Sequence, residues 1–125
     1  MIQATHYFAS FLRCNSTVIK NFEKVKSCVE KGILESGATI IGCVDKQLEN
    51  NIYSLVFLLQ DAECSNNFGH SSIHTHPENR MMFIDFLMCG CNCNYNNFEK
   101  WIVNDLDPGE IVYDFSIRNE RHVFL

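Results

Sequence analysis

Ser72-Ile73-His74-Thr75-His76-Pro77-Glu78, followed a few residues on by Ile84-Asp85-Phe86-Leu87-Met88-Cys89-Gly90, organises the whole chain. Ser72 to His76 reads as a short strand ended by Pro77, because proline cannot donate to a ladder. Met81 to Cys89 reads as the next strand, apolar except for Asp85. Upstream, Ala4 to Cys14 is apolar and aromatic and reads as a strand. Asn15-Ser16 then caps a helix, since their side chains can accept the first free N–H groups. Val18, Phe22, Val25, Val29 and Ile33 recur at helical spacing and form its apolar stripe. Glu35-Ser36-Gly37 ends that helix, with Gly37 in a left-handed cap. Ala38 to Val44 is a second strand, Asp45 to Asn51 a polar turn and Ile52 to Leu59 a third strand. Asp61 to Ser71 reads as a loop. Asn94 to Asn104, with Phe98, Trp101 and Ile102, is a second helix. After the turn Asp107-Pro108-Gly109, Ile111 to Val123 is a last strand or tail. This order predicts one α+β domain over residues 1–125: an antiparallel sheet with two helices packed on one face, and residues 110–125 as a C-terminal strand or tail.

Composition excludes more than it names. A chain of 125 residues, 46% hydrophobic, is long enough to bury a core without disulfides or metal. Fifteen acids against ten bases leave a net charge of -5, which argues against a general nucleic-acid binder. No apolar run approaches the roughly 18 residues a membrane helix needs. Met1 to His6 lacks the basic start and apolar stretch of an export leader, so a cytoplasmic protein with its seven cysteines reduced is expected.

The central segment resembles the motif of the small, prokaryotic-type S-adenosylmethionine decarboxylases. That family carries Ser-His-x-x-x-His-Thr-x-Pro-Glu, then an Asp and a Cys-Gly pair on the next strand. The match runs without a gap from His70 to Gly90; His70, His74, Thr75, Pro77, Glu78, Asp85, Cys89 and Gly90 fall on motif positions. His6, Gly37-Ala38-Thr39 and the helix around Trp101 are similar in placement, so the resemblance spans residues 4 to 103. In that family a serine attacks the carbonyl before it, the chain breaks, and a pyruvoyl group remains as electron sink. Here that serine position is Gly69, and Phe68 replaces the usual Glu before it. Glycine has no β-oxygen to attack or eliminate, so no pyruvoyl cofactor is expected. The remaining route is through Asp61-Ala62-Glu63-Cys64-Ser65, which resembles the family's Ala-Glu-Ser and would make Ser65 or Cys64 the precursor.

The resemblance makes His74 the histidine that assists processing, Cys89 the catalytic proton donor and Glu78 the acid on the ligand's ribose hydroxyls. His70 joins His74 and Cys89 as a catalytic candidate. Gly69, Ser72 and His76 join Glu78 as ligand-binding candidates. Each has a plainer reading: a hydrogen-bonded strand-end histidine for His74, a buried small hydrophobe for Cys89, a solvated turn carboxylate for Glu78, a surface ring for His76. Asp85 needs a structural partner, because an unpaired carboxylate in an apolar strand is costly. Cys89-Gly90-Cys91-Asn92-Cys93 would put three sulfurs on one strand face, yet it lacks the paired Cys-x-x-Cys knuckles of zinc sites, and no metal is expected. Phe8, Phe11, Phe57, Phe83 and Phe86 read mostly as core, with one ring available to stack on a purine.

S-adenosylmethionine carries a sulfonium, so its carbon–sulfur bonds are already activated. A pocket of this kind without a pyruvoyl implies a lyase giving a methylthioadenosine-type product from S-adenosylmethionine or a nucleotide conjugate of it. The alternatives are a self-processing decarboxylase of polyamine synthesis and an inactive ligand-binding or regulatory homologue. The resemblance also implies a homo-oligomer with its site near the subunit interface.

Overall fold

The computed structural model describes residues 3–90 and 92–119. Strands β1 (Gln3–Leu12), β2 (Ala38–Gln47), β3 (Tyr53–Asp61), β4 (Phe68–His76), β5 (Met81–Cys89) and β6 (Glu110–Asn119) form one sheet in the order β2-β3-β4-β5-β1-β6. Every neighbouring pair is antiparallel. Helices α1 (Ser16–Ile19), α2 (Phe22–Glu35) and α3 (Tyr95–Leu106) bury their apolar stripes against one face. Alternation along the strands supplies the other half of that core. Tyr7 and Phe11 of β1, Leu55, Phe57 and Leu59 of β3, and Ile84, Phe86 and Met88 of β5 are all buried on the helix side. The α+β architecture expected from the sequence is the one found.

Where the elements differ from expectation, a local cause is visible. The first helix is two. Asn15 accepts the N–H groups of Thr17 and Val18, and Asn21 then accepts that of Lys24 and starts a new helix. An apolar stripe could not reveal the break, because Ile19 and Val25 are both buried on the same side. The ladder carries β2 on through polar Asp45, Lys46 and Gln47, a charged edge that discourages pairing with other chains. The stretch read as a loop up to Ser71 is strand from Phe68 onward, with Gly69 paired to Leu59 on one side and Met88 on the other. The expected last strand runs only to Asn119 among the described residues; residues 120–123 lie outside them. Cys89 and Cys93, two of the three sulfurs expected on one strand face, do not share one. β5 ends at Cys89, and Cys93 packs against the helix-side core; Cys91 lies outside the described residues.

Gly37 follows α2 at φ +99, the left-handed cap the sequence required. Gly32 serves a different purpose, since a β-carbon there would stand 2.7 Å from the carbonyl oxygen of Phe98 in α3. The two helices therefore approach backbone to backbone at this point. Gly32→Ala is expected to force them apart and cost about 1–3 kcal/mol, read as a lower urea midpoint with an unchanged slope.

Candidate active site

The face of the sheet turned away from the helices carries the chemistry. The pairing sets its side chains in rows across the strands. One row reads Val56, Ser72, Asp85, Phe8, Asp114 from β3 to β6. The next reads Leu58, His70, Leu87, His6, Ser116, and the row on the other side reads Ser54, His74, Phe83, Ser10, Val112. His70, Ser72, His74 and His76 thus share one face of β4, as their spacing of two requires.

Asp85 is the hub. Its Oδ1 accepts the backbone N–H of Ser72 at 2.8 Å and the Ser72 hydroxyl at 2.7 Å. Its Oδ2 lies 3.4 Å from Nε2 of His6 and 3.9 Å from Nε2 of His70. The partner that an acid in an apolar strand demanded is therefore Ser72, with two imidazoles beside it. His74 is tied separately, its Nδ1 2.9 Å from the Ser54 hydroxyl. His76 meets the Phe83 ring edge-on, with centroids 5.5 Å apart.

A groove of about 620 Å³ opens beside this cluster, lined by Phe8, Ser72, His74, Phe83, Asp85, Val112 and Asp114 among others. Its size suits a small-molecule ligand. Phe8 is 40% exposed and Phe83 38%, whereas Phe11, Phe57 and Phe86 are buried as expected. Two aromatic rings are thus partly exposed on the polar side of the sheet, Phe83 against His76 and Phe8 against His6.

Not every expected residue joins the cluster. Gly69 faces the helix side and is buried. A β-carbon built on it would lie 2.0 Å from the Leu87 carbonyl oxygen and 2.8 Å from the Met88 Cα, both backbone. The position lacks the hydroxyl that forms a pyruvoyl and also the space for the carbon that would bear it, so residue 69 does not fit that group. Cys89 lies at the far end of β5, partly buried. Glu78 is exposed in the 3-10 turn Pro77–Asn79 that leads from β4 into β5. The nine residues of β5 separate these ends, a span of about 27 Å at ~3.4 Å per step. Within one chain, Glu78 and Cys89 cannot touch the same nucleoside.

The loop after β3 is pinned from several sides. Asp61 is 3% exposed, and its carboxylate accepts the Glu63 N–H at 2.8 Å and the Asn92 amide at 3.0 Å. Burial works to raise its pKa, but these bonds, with others from Asn67 and Cys64, outweigh it and hold the carboxyl below its ordinary value. The sign follows. Asp61 stabilises the fold above the ordinary carboxylate range, and that contribution is lost as pH falls through the depressed value. Asp61→Asn is expected to be less stable than the unsubstituted chain at neutral pH, with the two converging on acidification in urea melts. Cys64 and Ser65 sit in this loop, where the Cys64 carbonyl accepts the Asn67 N–H at 3.0 Å and the Ser65 carbonyl accepts the Gln60 amide at 2.9 Å. Among the other thiols, burial pushes Cys14 up to about 11 and Cys28 up to about 12, which leaves both unreactive at neutral pH.

Sequence reasoning left His6 and Ser54 out of the site. His6 is on β1, far from the motif, and only the register β1–β5 sets it opposite Leu87 and next to Asp85. The single polar residue in β5 was the available signal, since it required partners from neighbouring strands.

A helix-covered antiparallel sheet of this order, with its ionisable side chains gathered on the bare face, defines the α+β class of the S-adenosylmethionine decarboxylase fold. The family model described as S-adenosylmethionine decarboxylase matches residues 5–119, and the chain belongs to that family. It is 22% identical over 119 residues to an S-adenosylmethionine decarboxylase proenzyme of Aeropyrum pernix, covering 94% of this chain and 83% of that protein. A proenzyme of the same description from Thermosipho melanesiensis is 26% identical over 86 residues, covering 68% of this chain and 60% of the relative. The crystal structure of the adenosylmethionine decarboxylase from Aquifex aeolicus superposes with a TM-score of 0.79 at 22% identity, covering 98% of this chain and 97% of that one. Among the described residues, no helix is long and apolar enough to cross a membrane.

Proposed function

We propose that the chain binds S-adenosylmethionine or a close derivative, nucleotide conjugates included, and cleaves a carbon–sulfur bond without a pyruvoyl group. The observation that carries this reading is that Gly69, which the motif match aligns with the family's precursor serine, has no room for a β-carbon. His74, Glu78 and Cys89 keep the family's residue types at the motif positions.

The chemistry needs no electron sink. A carboxylate oxygen of the ligand bonds to its own γ-carbon, the γ-carbon–sulfur bond breaks, and the electron pair goes to sulfur. The products are a methylthioadenosine-type thioether and a homoserine-lactone-type fragment that keeps its ammonium. Nothing is oxidised and no proton is consumed. Holding carboxylate and γ-carbon in line supplies several kcal/mol of the barrier. The reaction annihilates a negative and a positive charge, so the apolar walls Phe8, Phe83 and Val112 favour the transition state over the separated ions. Asp114 in the same groove offsets the sulfonium during binding.

The site belongs to two copies in this reading. The span of β5 supports it, because one chain cannot bring Glu78 and Cys89 together. The bare face supports it too: Val56, Leu58, Phe8, Phe83 and Val112 are all 38–54% exposed there, more apolar surface than a solvated sheet face usually carries.

Incubation with S-adenosylmethionine, and separately with its adenylated conjugate, should yield the thioether by liquid chromatography and mass spectrometry. The names of the curated relatives favour a second reading, a self-processing decarboxylase using Ser65 or Cys64. Ser65→Ala separates that serine route: thioether formation should be unchanged, whereas an enzyme processed at Ser65 would lose all turnover. Intact mass covers either precursor, since the lyase remains one 14.4 kDa chain.

A further inference from the structure

His6 and His70 both pair with Leu87, one from each side of β5, and Asp85 lies two residues along on the same face. Its carboxylate therefore reaches diagonally toward both rings. The two Ser72 donors on Oδ1 fix the plane of the carboxylate. Oδ2 is left facing Nε2 of His6 at 3.4 Å and Nε2 of His70 at 3.9 Å. An ionised carboxylate only accepts, so a ring nitrogen aimed at it carries the proton. A neutral imidazole has one ring proton, and its other nitrogen, Nδ1, is then an acceptor.

We infer that Asp85 is a positioning residue that holds His6 as its Nε2–H tautomer, with the His70 ring close by, so that the site recognises its ligand through that ligand's N–H donors. An Nδ1 acceptor on His6 beside a carboxylate suits an ammonium group. The ligand assignment rests on the proposed function: with no carbonyl at residue 69 to condense with, the α-amine of an S-adenosylmethionine-type ligand stays a free ammonium. Asp85 acts through His6.

The test uses the full chain labelled with 15N-histidine at pH ~8.5, above the ordinary imidazole range. His6 should show a protonated Nε2 and an unprotonated Nδ1, its signals assigned with His6→Gln. In Asp85→Asn the amide oxygen keeps the Ser72 donors and the amide N–H replaces the accepting Oδ2. The His6 tautomer should invert, with the circular dichroism of the fold unchanged. Protonated Nδ1 in the unsubstituted chain, or a His6 tautomer unmoved by Asp85→Asn, overturns the positioning role. Calorimetry then compares S-adenosylmethionine with its deaminated analogue. The unsubstituted chain should prefer the amine by at least about tenfold, and Asp85→Asn should largely erase that preference. An undiminished preference in Asp85→Asn overturns the ammonium assignment. Binding of neither compound overturns that assignment and the proposed function together, while the tautomers still decide the role of Asp85.

Discussion

Gly69→Ser is expected to leave the chain in one piece and to destabilise it by roughly 3 kcal/mol, a fall in Tm of about 10 °C. On the alignment behind the proposed function, a serine at this position would be the direct way to give the chain self-processing. Here the added β-carbon meets the Leu87 carbonyl at 2.0 Å and the Met88 Cα at 2.8 Å, and neither atom belongs to a side chain that can swing away. Strands β4 and β5 must separate locally, which strains the ladder at Gly69 and Met88. Gly69→Ala carries the same carbon without the hydroxyl and should lose about as much stability. Urea melts of both variants, with intact mass of Gly69→Ser, check this. Two fragments from Gly69→Ser would mean that the strand yields and the position still supports processing.

The second large effect is complementation between inactive variants. His70→Ala and Glu78→Gln should each lose nearly all thioether formation. His70 pairs with Leu87 and Glu78 follows the opposite end of β4, so the two residues belong to opposite ends of the same hairpin. If each site takes His70 from one copy and Glu78 from the other, a mixed dimer holds one site with both residues intact. Unfolding and refolding the two variants together should then recover about 25% of the unsubstituted rate, since half the dimers are mixed and each has one of two sites complete. A mixture as inactive as its components would place both residues in the same site of the same chain.

Much of the fold was legible because it rests on short-range patterns. The Val18-to-Ile33 stripe, the Gly37 cap and a strand through Ser72 to His76 are local signals, and the structure carries each, with the helix divided at Asn21 and the strand begun at Phe68. Asn21 was harder, because a capping side chain inside a continuous apolar stripe leaves the period intact. Gly69 was legible as a missing hydroxyl and illegible as a steric fact, since the atoms that crowd it belong to Leu87 and Met88 across the ladder. The start of β4 was obscured by the same residue: a glycine among polar neighbours reads as loop until its flanking strands are known. The motif brought His70, Ser72 and His74 together by spacing alone. His6 and Ser54 required register, which depends on how β1 and β3 pair and not on their own sequences. Glu78 and Cys89 are neighbours in the motif yet stand at opposite ends of a nine-residue strand.

S-adenosylmethionine labelled in its carboxyl carbon distinguishes the two chemistries in one assay. Bond-breaking at sulfur keeps that carbon in the lactone-type fragment, so the label should remain in solution while methylthioadenosine-type product accumulates and the chain stays at 14.4 kDa. Release of the label as carbon dioxide, with decarboxylated sulfonium as product, would contradict a lyase built on a site without a pyruvoyl.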